Sequence, residues 1–235
     1  MAPWFVNILR DLSGVTLGWI LGFASSAIRD WLKEKWKCAD TQRAISAELY
    51  EVTYRLLLIL YSIESAFGKF DRKLLEWMLP LIQKYEGPNP KEGISAGITG
   101  LLKNSDTEIA HFAAVQRAKT SSSYFYPRIE ASYTASALSH AHDFDPDYAL
   151  RVLDILSHIQ MFNDTRDSYV FYEHLTFTPG LTPENYRNAV KNAEEARLHL
   201  SQRARIIVDK FNALEQKYTS RKCKKKPQLT VLPST

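Results

Sequence analysis

Arg151 and His158 stand seven positions apart in "RVLDILSH". The apolar spacing of that segment predicts a helix, which puts both side chains on one face, two turns apart. An arginine can hold the charge of a pentavalent phosphate, and a histidine can move a proton. Such a pair could cleave RNA to a 2′,3′-cyclic phosphate. The plainer reading is an exposed arginine and a half-buried histidine on a bundle helix. A second grouping, "SHAHDFDPD", gathers His140, His142 and Asp143, types that could bind a divalent metal. Asp145 in that stretch already reads as the cap of a helix opening at Pro146, and adjacent residues spread around the chain, so no metal or other cofactor is expected. No phosphate-binding glycine loop, dinucleotide fingerprint, HExxH or GxSxG occurs.

The spacing of Arg151 and His158 resembles the Arg-x4-6-His motif of HEPN ribonucleases, helical bundles that dimerise to juxtapose two such motifs. The resemblance covers two residues. The family usually has a polar residue directly after its arginine, where this chain has Val152. It implies a ribonuclease with Arg151 and His158 as the catalytic pair, an alternative to the main expectation that the chain is not an enzyme.

The elements that must carry these residues are helices, because strand signals are nearly absent. Residues 43–67 read as one apolar-rich helix. "LLEWMLPLIQKY" (74–85) reads as another, with Pro80 a kink or break, and "EGPNPKEG" (86–93) as a loop. Ser105 and Glu108 form a capping box that opens a helix to about Lys119. Asp145–Pro146 starts a helix to about Thr165, with Ala149, Val152, Leu153, Leu156 and Ile159 on one face. The aromatics Tyr124, Phe125, Tyr126, Tyr133, Tyr169, Phe171, Tyr172 and Phe177 are expected to pack between helices. Thr182–Pro183 starts the last helix. Along it Tyr186, Val190, Ala193, Leu200, Ala204, Ile207, Phe211, Leu214 and Tyr218 form a coiled-coil-like seam broken only by Arg197. Packing within an antiparallel bundle is expected over an intermolecular coiled coil.

The first 37 residues are of another character. Leu12 to Ile28 is a run of 17 residues without a charge. As a helix it rises about 26 Å, a short bilayer span. Trp4 precedes it, and Trp31 and Trp36 follow it, where indole rings sit at membrane interfaces. Gly14, Gly18, Gly22 and Ser26 fall four apart, a stripe of small residues that lets two helices approach closely in lipid. A cleaved signal peptide and a buried core helix are the competing readings; the first lacks a net basic start. Arg10 precedes the run, and Arg29, Lys33, Lys35 and Lys37 follow it, which places the N-terminus outside and the rest of the chain in the cytoplasm.

Charge sharpens the picture. The net charge is +4, but residues 1–37 carry +2 and residues 221–226 carry +5, so the body between is mildly acidic at −3. Basic ends on an acidic body do not suit a nucleic-acid-binding domain, and no specific nucleic acid is expected. They suit an anionic lipid surface. The two cysteines, Cys38 and Cys223, are far apart and are expected to be reduced thiols.

The expectation is therefore all-α. A single transmembrane helix (1–37) leads into a cytoplasmic helical bundle (38–220) with a long coiled-coil-like last helix, then a basic disordered tail (221–235). The bilayer, a second copy through the first helix and a protein bound by the bundle are the expected partners. The expected function is a membrane-anchored, self-associating interaction or sensor module. The alternative is a membrane-perturbing effector, since the general plan is similar to that of small bacterial membrane effectors used in anti-phage defence.

Overall fold

A computed structural model describes residues 38–119, 126–139 and 144–222. Among them every regular element is a helix. No helix of the described residues is long and apolar enough to cross a membrane. The uncharged run, Gly14, Gly18, Gly22 and Ser26, and the flanking Trp4, Arg29, Trp31, Lys33, Lys35, Trp36 and Lys37 lie outside the described residues, as do His140, His142 and Asp143.

The chain divides into two compact units, residues 1–44 and 45–235. In the first, residues 38–44 are helical, and Arg43 lies 3.0 Å from Asp40. The second begins with helix α1 (45–67). It buries Ile45, Leu49, Val52, Leu56, Leu60 and Ile63, a stripe at steps of three and four. Gly68 ends it with φ +64°. The Gly68 N–H donates to Ser65 (3.0 Å) and the Lys69 N–H to Glu64 (2.8 Å), a Schellman close in the left-handed region that glycine adopts without strain.

Helix α2 (Arg72–Gln83) starts at Asp71, whose carboxylate accepts from the Leu74 N–H at 2.7 Å. Pro80 is inside it, exposed and near its end, so the expected break is only a helix that stops within a turn. Helix α3 (Glu92–Leu102) was not foreseen in the sequence. Arg72 holds its far end, donating to the carbonyls of Leu102 (3.0 Å) and Asn104 (2.6 Å), and reaches Asp106 (2.6 Å) at the head of α4 (Asp106–Lys119). The expected capping box is formed there: the Glu108 N–H donates to Ser105 Oγ, and the Ser105 N–H donates to the Glu108 carboxylate at 2.7 Å.

A stretch without regular structure, residues 126–131, leads into short α5 (Ser132–Ala137). Glu48 of α1 takes the first turn of α5, accepting from the N–H groups of Tyr133 (3.1 Å) and Thr134 (2.6 Å). The stretch itself is held by helix α6 (Pro146–Thr176). Buried Asn163 accepts from the Ile129 N–H at 2.9 Å and donates to the Ile129 carbonyl at 2.8 Å, as a neighbouring strand would. Arg166 donates to the Tyr126 carbonyl at 2.7 Å.

Helix α6 opens as expected. Asp145 caps it, accepting from Asp147 (2.9 Å) and Tyr148 (3.3 Å), with Pro146 in the first turn. It runs to Thr176, well past the expected end near Thr165. Its inward face is also shifted. Ile155 is buried, and Leu153 points outward at 46% exposure, so the buried stripe runs along Val152, Ile155, Ile159 and Phe162.

Helix α7 (Pro183–Lys222) returns antiparallel to α6, and its last two residues, Arg221 and Lys222, belong to the stretch expected to be a disordered tail. Thr182 caps it, accepting from the Asn185 N–H at 3.2 Å. The narrow seam is corrected to a broader face. Ala193, Leu200, Ala204, Ile207, Phe211 and Leu214 are buried as expected, joined by Ala189, Ala196, Ser201 and Val208. Tyr186 is exposed at 48%, and Val190 and Tyr218 are half-buried. The cause is that α7 serves two helices within the chain. It meets α6 through Tyr169–Arg197 (3.2 Å) and Thr165–Arg203 (3.1 Å), and α1 through Glu64–Ser201 and Tyr50–Phe211 (rings 4.9 Å apart). Such a face is wider than a two-stranded seam.

Candidate functional site

A wide concavity of the described residues is built on residues 84–91, the loop between α2 and α3. Three contacts hold the loop. Lys91 donates its ammonium to the carbonyls of Gln83 (3.0 Å) and Tyr85. Tyr54 of α1 donates to the Pro90 carbonyl at 2.8 Å. The buried Tyr85 ring lies flat on Tyr54, with centroids 4.2 Å apart and planes within 8°.

The Tyr85 hydroxyl donates to Glu51, whose carboxylate also accepts from Arg55 (2.8 Å) and Asn89 (2.7 Å). Burial pushes the Glu51 carboxyl upward, but these donors outweigh it and hold the group below the usual carboxylate range. Burial and the Glu51 carboxylate both push the Tyr85 phenol up. Gly87 passes over the ring so closely that a Cβ there would overlap Tyr85.

Above this floor opens a cleft of about 1280 Å³ between α1, the loop and the C-terminal part of α7. Its lining includes the apolar surfaces of Ala47, Tyr50 and Pro88 and the charged side chains of Lys84, Glu86 and Glu215. A narrow crevice continues between α1, α2 and α7, reaching buried Thr53, whose hydroxyl has no partner among the described residues. A carboxylate held ionised by three donors is a poor base, and the residues that line the cleft include no serine, threonine, cysteine or histidine. The arrangement is suited to binding.

The sequence-derived pair lies elsewhere. Arg151 is exposed, with Nε 3.1 Å from Asp147, one turn back on α6. His158 Nε2 lies 3.6 Å from Asp154, again one turn back. Both acids reach across to α7. Asp147 accepts from Lys217 and from the Tyr218 hydroxyl (2.7 Å), and Asp154 accepts from Lys210. Each member of the pair is therefore tied to its own interhelical ion pair.

Lys217, then Tyr218 and Arg151, hold the Asp147 carboxyl far below the ordinary carboxylate range. The folded pKa is depressed, so its contribution to stability is present above the unfolded value and is lost as pH falls through the folded one. The expected result is that the Asp147 carboxyl resonance does not titrate between about pH 5 and 3, where a model aspartate is half protonated near 3.9. Ordinary titration in that window would remove the tie.

Arg197, the break in the apolar spacing, has a definite place. Its guanidinium stands 5.4 Å from the Tyr169 ring centroid and 5.8 Å from that of Phe67. Tyr126 packs on Tyr169 at 5.1 Å, so these expected core aromatics do pack between elements, while Phe171 and Phe177 are exposed. No group of acidic, histidine or cysteine side chains among the described residues could hold a metal ion. The sequence reading missed the cleft. Its one local signal was the Glu51–Arg55 spacing on a helix beside a proline- and glycine-rich loop. No known protein family matches this chain, and no curated protein or solved structure matches it either.

Proposed function

We propose that the chain is a membrane-tethered helical module that binds a partner through its bundle and self-associates through its first helix, without catalysis. The supporting observation is that two of the side chains best suited to chemistry are already engaged within the fold: Arg151 by Asp147, and Glu51 by Tyr85, Arg55 and Asn89. The same pairing weakens the ribonuclease reading. The tether rests on the 17 uncharged residues from Leu12, with the bulk of the chain on the cytoplasmic side by the Lys/Arg asymmetry.

Self-association rests on the stripe Gly14, Gly18, Gly22 and Ser26. Gly18→Leu keeps the run apolar and raises helix propensity by somewhat under 1 kcal/mol. It places a bulky side chain where two backbones would meet. The full chain carrying Gly18→Leu is expected to stay in the membrane fraction but to cross-link at least threefold less there. Leu17→Val, off the stripe, should do neither. Loss from the membrane fraction of the unaltered chain would refute the tether, and unchanged cross-linking of Gly18→Leu would refute the interface.

A further inference from the structure

Helix α6 is apolar on two sides. Its inward stripe is buried within the chain, but Leu150, Leu153 and Met161 stand on the opposite side at 67, 46 and 43% exposure. Exposed Ser157 lies between them, and steps of three, four and four residues keep all four on one outward face. Helix α7 adds to it. Asp154 accepts from Lys210, and Met161 accepts from Arg203 at 3.3 Å, which sets Ile206, 40% exposed, level with Ser157. A contiguous apolar face on a helix pair is a surface that another helix pair can cover.

Spacing and charge select a second copy of this chain as the cover. Leu153 and Met161 stand four residues to either side of Ser157. An antiparallel α6 from a second copy, centred on Ser157, sets Leu153 of each copy on Met161 of the other. The small serines then fall at the crossing, where the backbones come closest. Charge agrees with that register. Arg203, Lys210 and Lys217 lie seven apart along α7. Lys217 reaches Asp147 and Lys210 reaches Asp154, but Arg203 reaches only the neutral Thr165 and Met161. The acids sharing its groove are turned elsewhere: Asp164 accepts from Gln160 at 2.8 Å, and Glu195 lies 3.8 Å from Lys191. Being level with Met161, Arg203 comes opposite Leu153 and Asp154 of the second copy. Asp154 is 49% exposed, and a carboxylate has room for a further donor.

We propose that the outer face of α6 and α7 is a self-association surface, on which two copies pair antiparallel about Ser157 and close a four-helix bundle. It is a contact between the bundles, separate from the Gly14–Ser26 stripe of the first helix.

A disulfide trap in the full chain tests it. Cys38→Ser with Cys223→Ser removes both thiols, and Ser157→Cys supplies one on the two-fold axis. Air oxidation with copper phenanthroline should join two copies through position 157, and non-reducing electrophoresis reads the yield. Ser168→Cys, exposed on the same helix, is the control. It stands about 16 Å from the axis at ~1.5 Å per residue, so antiparallel pairing holds its two sulfurs roughly 30 Å apart. A disulfide needs Cα atoms within about 7 Å, so position 168 should yield about a fifth of position 157 or less. Leu153→Glu, at an exposed site, puts a carboxylate into the apolar contact and should lower the yield at 157 about fivefold. Arg203→Glu sets like charges together against Asp154 and should lower it about threefold. Equal yields at 157 and 168 would overturn the antiparallel pairing. A yield at 157 that neither Leu153→Glu nor Arg203→Glu lowers would overturn the surface. The ratio of 157 to 168 should hold in a Gly18→Leu background too, so failure of the first-helix contact and failure of this one are told apart.

Discussion

Replacing Asn163 by alanine is expected to lower the free energy of unfolding by about 2–4 kcal/mol, because two buried backbone groups lose their partner at once. Ile129 is 1% exposed, and its N–H and C=O both bond to the Asn163 amide, at 2.9 and 2.8 Å. The amide suits both roles, since it donates and accepts side by side. Asn163→Asp separates the two bonds. Its carboxylate still accepts from the N–H but opposes the carbonyl, and burial raises its pKa. The folded pKa then exceeds the unfolded one, so this variant should recover stability as pH falls toward the unfolded carboxyl value of about 3.9 and lose it as pH rises. Urea unfolding of both variants, with unchanged m-values, is the measurement. A loss below about 0.5 kcal/mol for Asn163→Ala would show that residues 126–131 are held by other means.

Gly87→Ala is expected to cost about 2–4 kcal/mol, though it adds one methyl group to an exposed loop. The new Cβ would overlap the Tyr85 ring, and that ring has nowhere to go. It is 2% exposed, stacked on Tyr54 and bonded to Glu51. Displacing it forfeits an aromatic stack of about 0.5–1.5 kcal/mol and a hydrogen bond to a charged group of about 1.5–3 kcal/mol. A double-mutant cycle tests the route. In a Tyr85→Ala background, with no ring to strike, the same glycine substitution should cost under about 0.5 kcal/mol. Equal costs in the two backgrounds would mean that the loop backbone, not the ring, is sensitive.

What could be read in advance was the chemistry of near neighbours. The caps at Ser105, Asp145 and Thr182 each use a side chain and a backbone N–H two or three residues apart, and all three formed. What could not be read was whatever depends on distant residues. Helix α3, EGISAGITGLL, is poor in helix formers; the carbonyl of its last residue, Leu102, is satisfied by Arg72, thirty residues earlier. Helix α6 carried no stop signal near Thr165; the Pro179–Gly180 pair lies just past its true end at Thr176, and buried Tyr169 anchors the added turns. The seam of α7 was legible in period but not in width, because width depends on how many helices share it. The cleft was illegible for the same reason, since Glu51, Tyr85 and Asn89 meet only across 34 to 38 residues of chain.

The pairing of α7 with both α6 and α1 bears on how the protein is made. Helices α6 and α7 are neighbours in the chain and can zip as soon as both exist. Helix α1 must wait, because its contact between Glu64 and Ser201 closes a separation of 137 residues. At synthesis rates of 5–20 residues per second, that is roughly 7–30 s in which the apolar stripe from Ile45 to Ile63 has no α7 to cover it. During that interval the nascent chain carries the α1 stripe without the helix that covers it, so a chaperone or a lipid surface can meet that stripe before the bundle does.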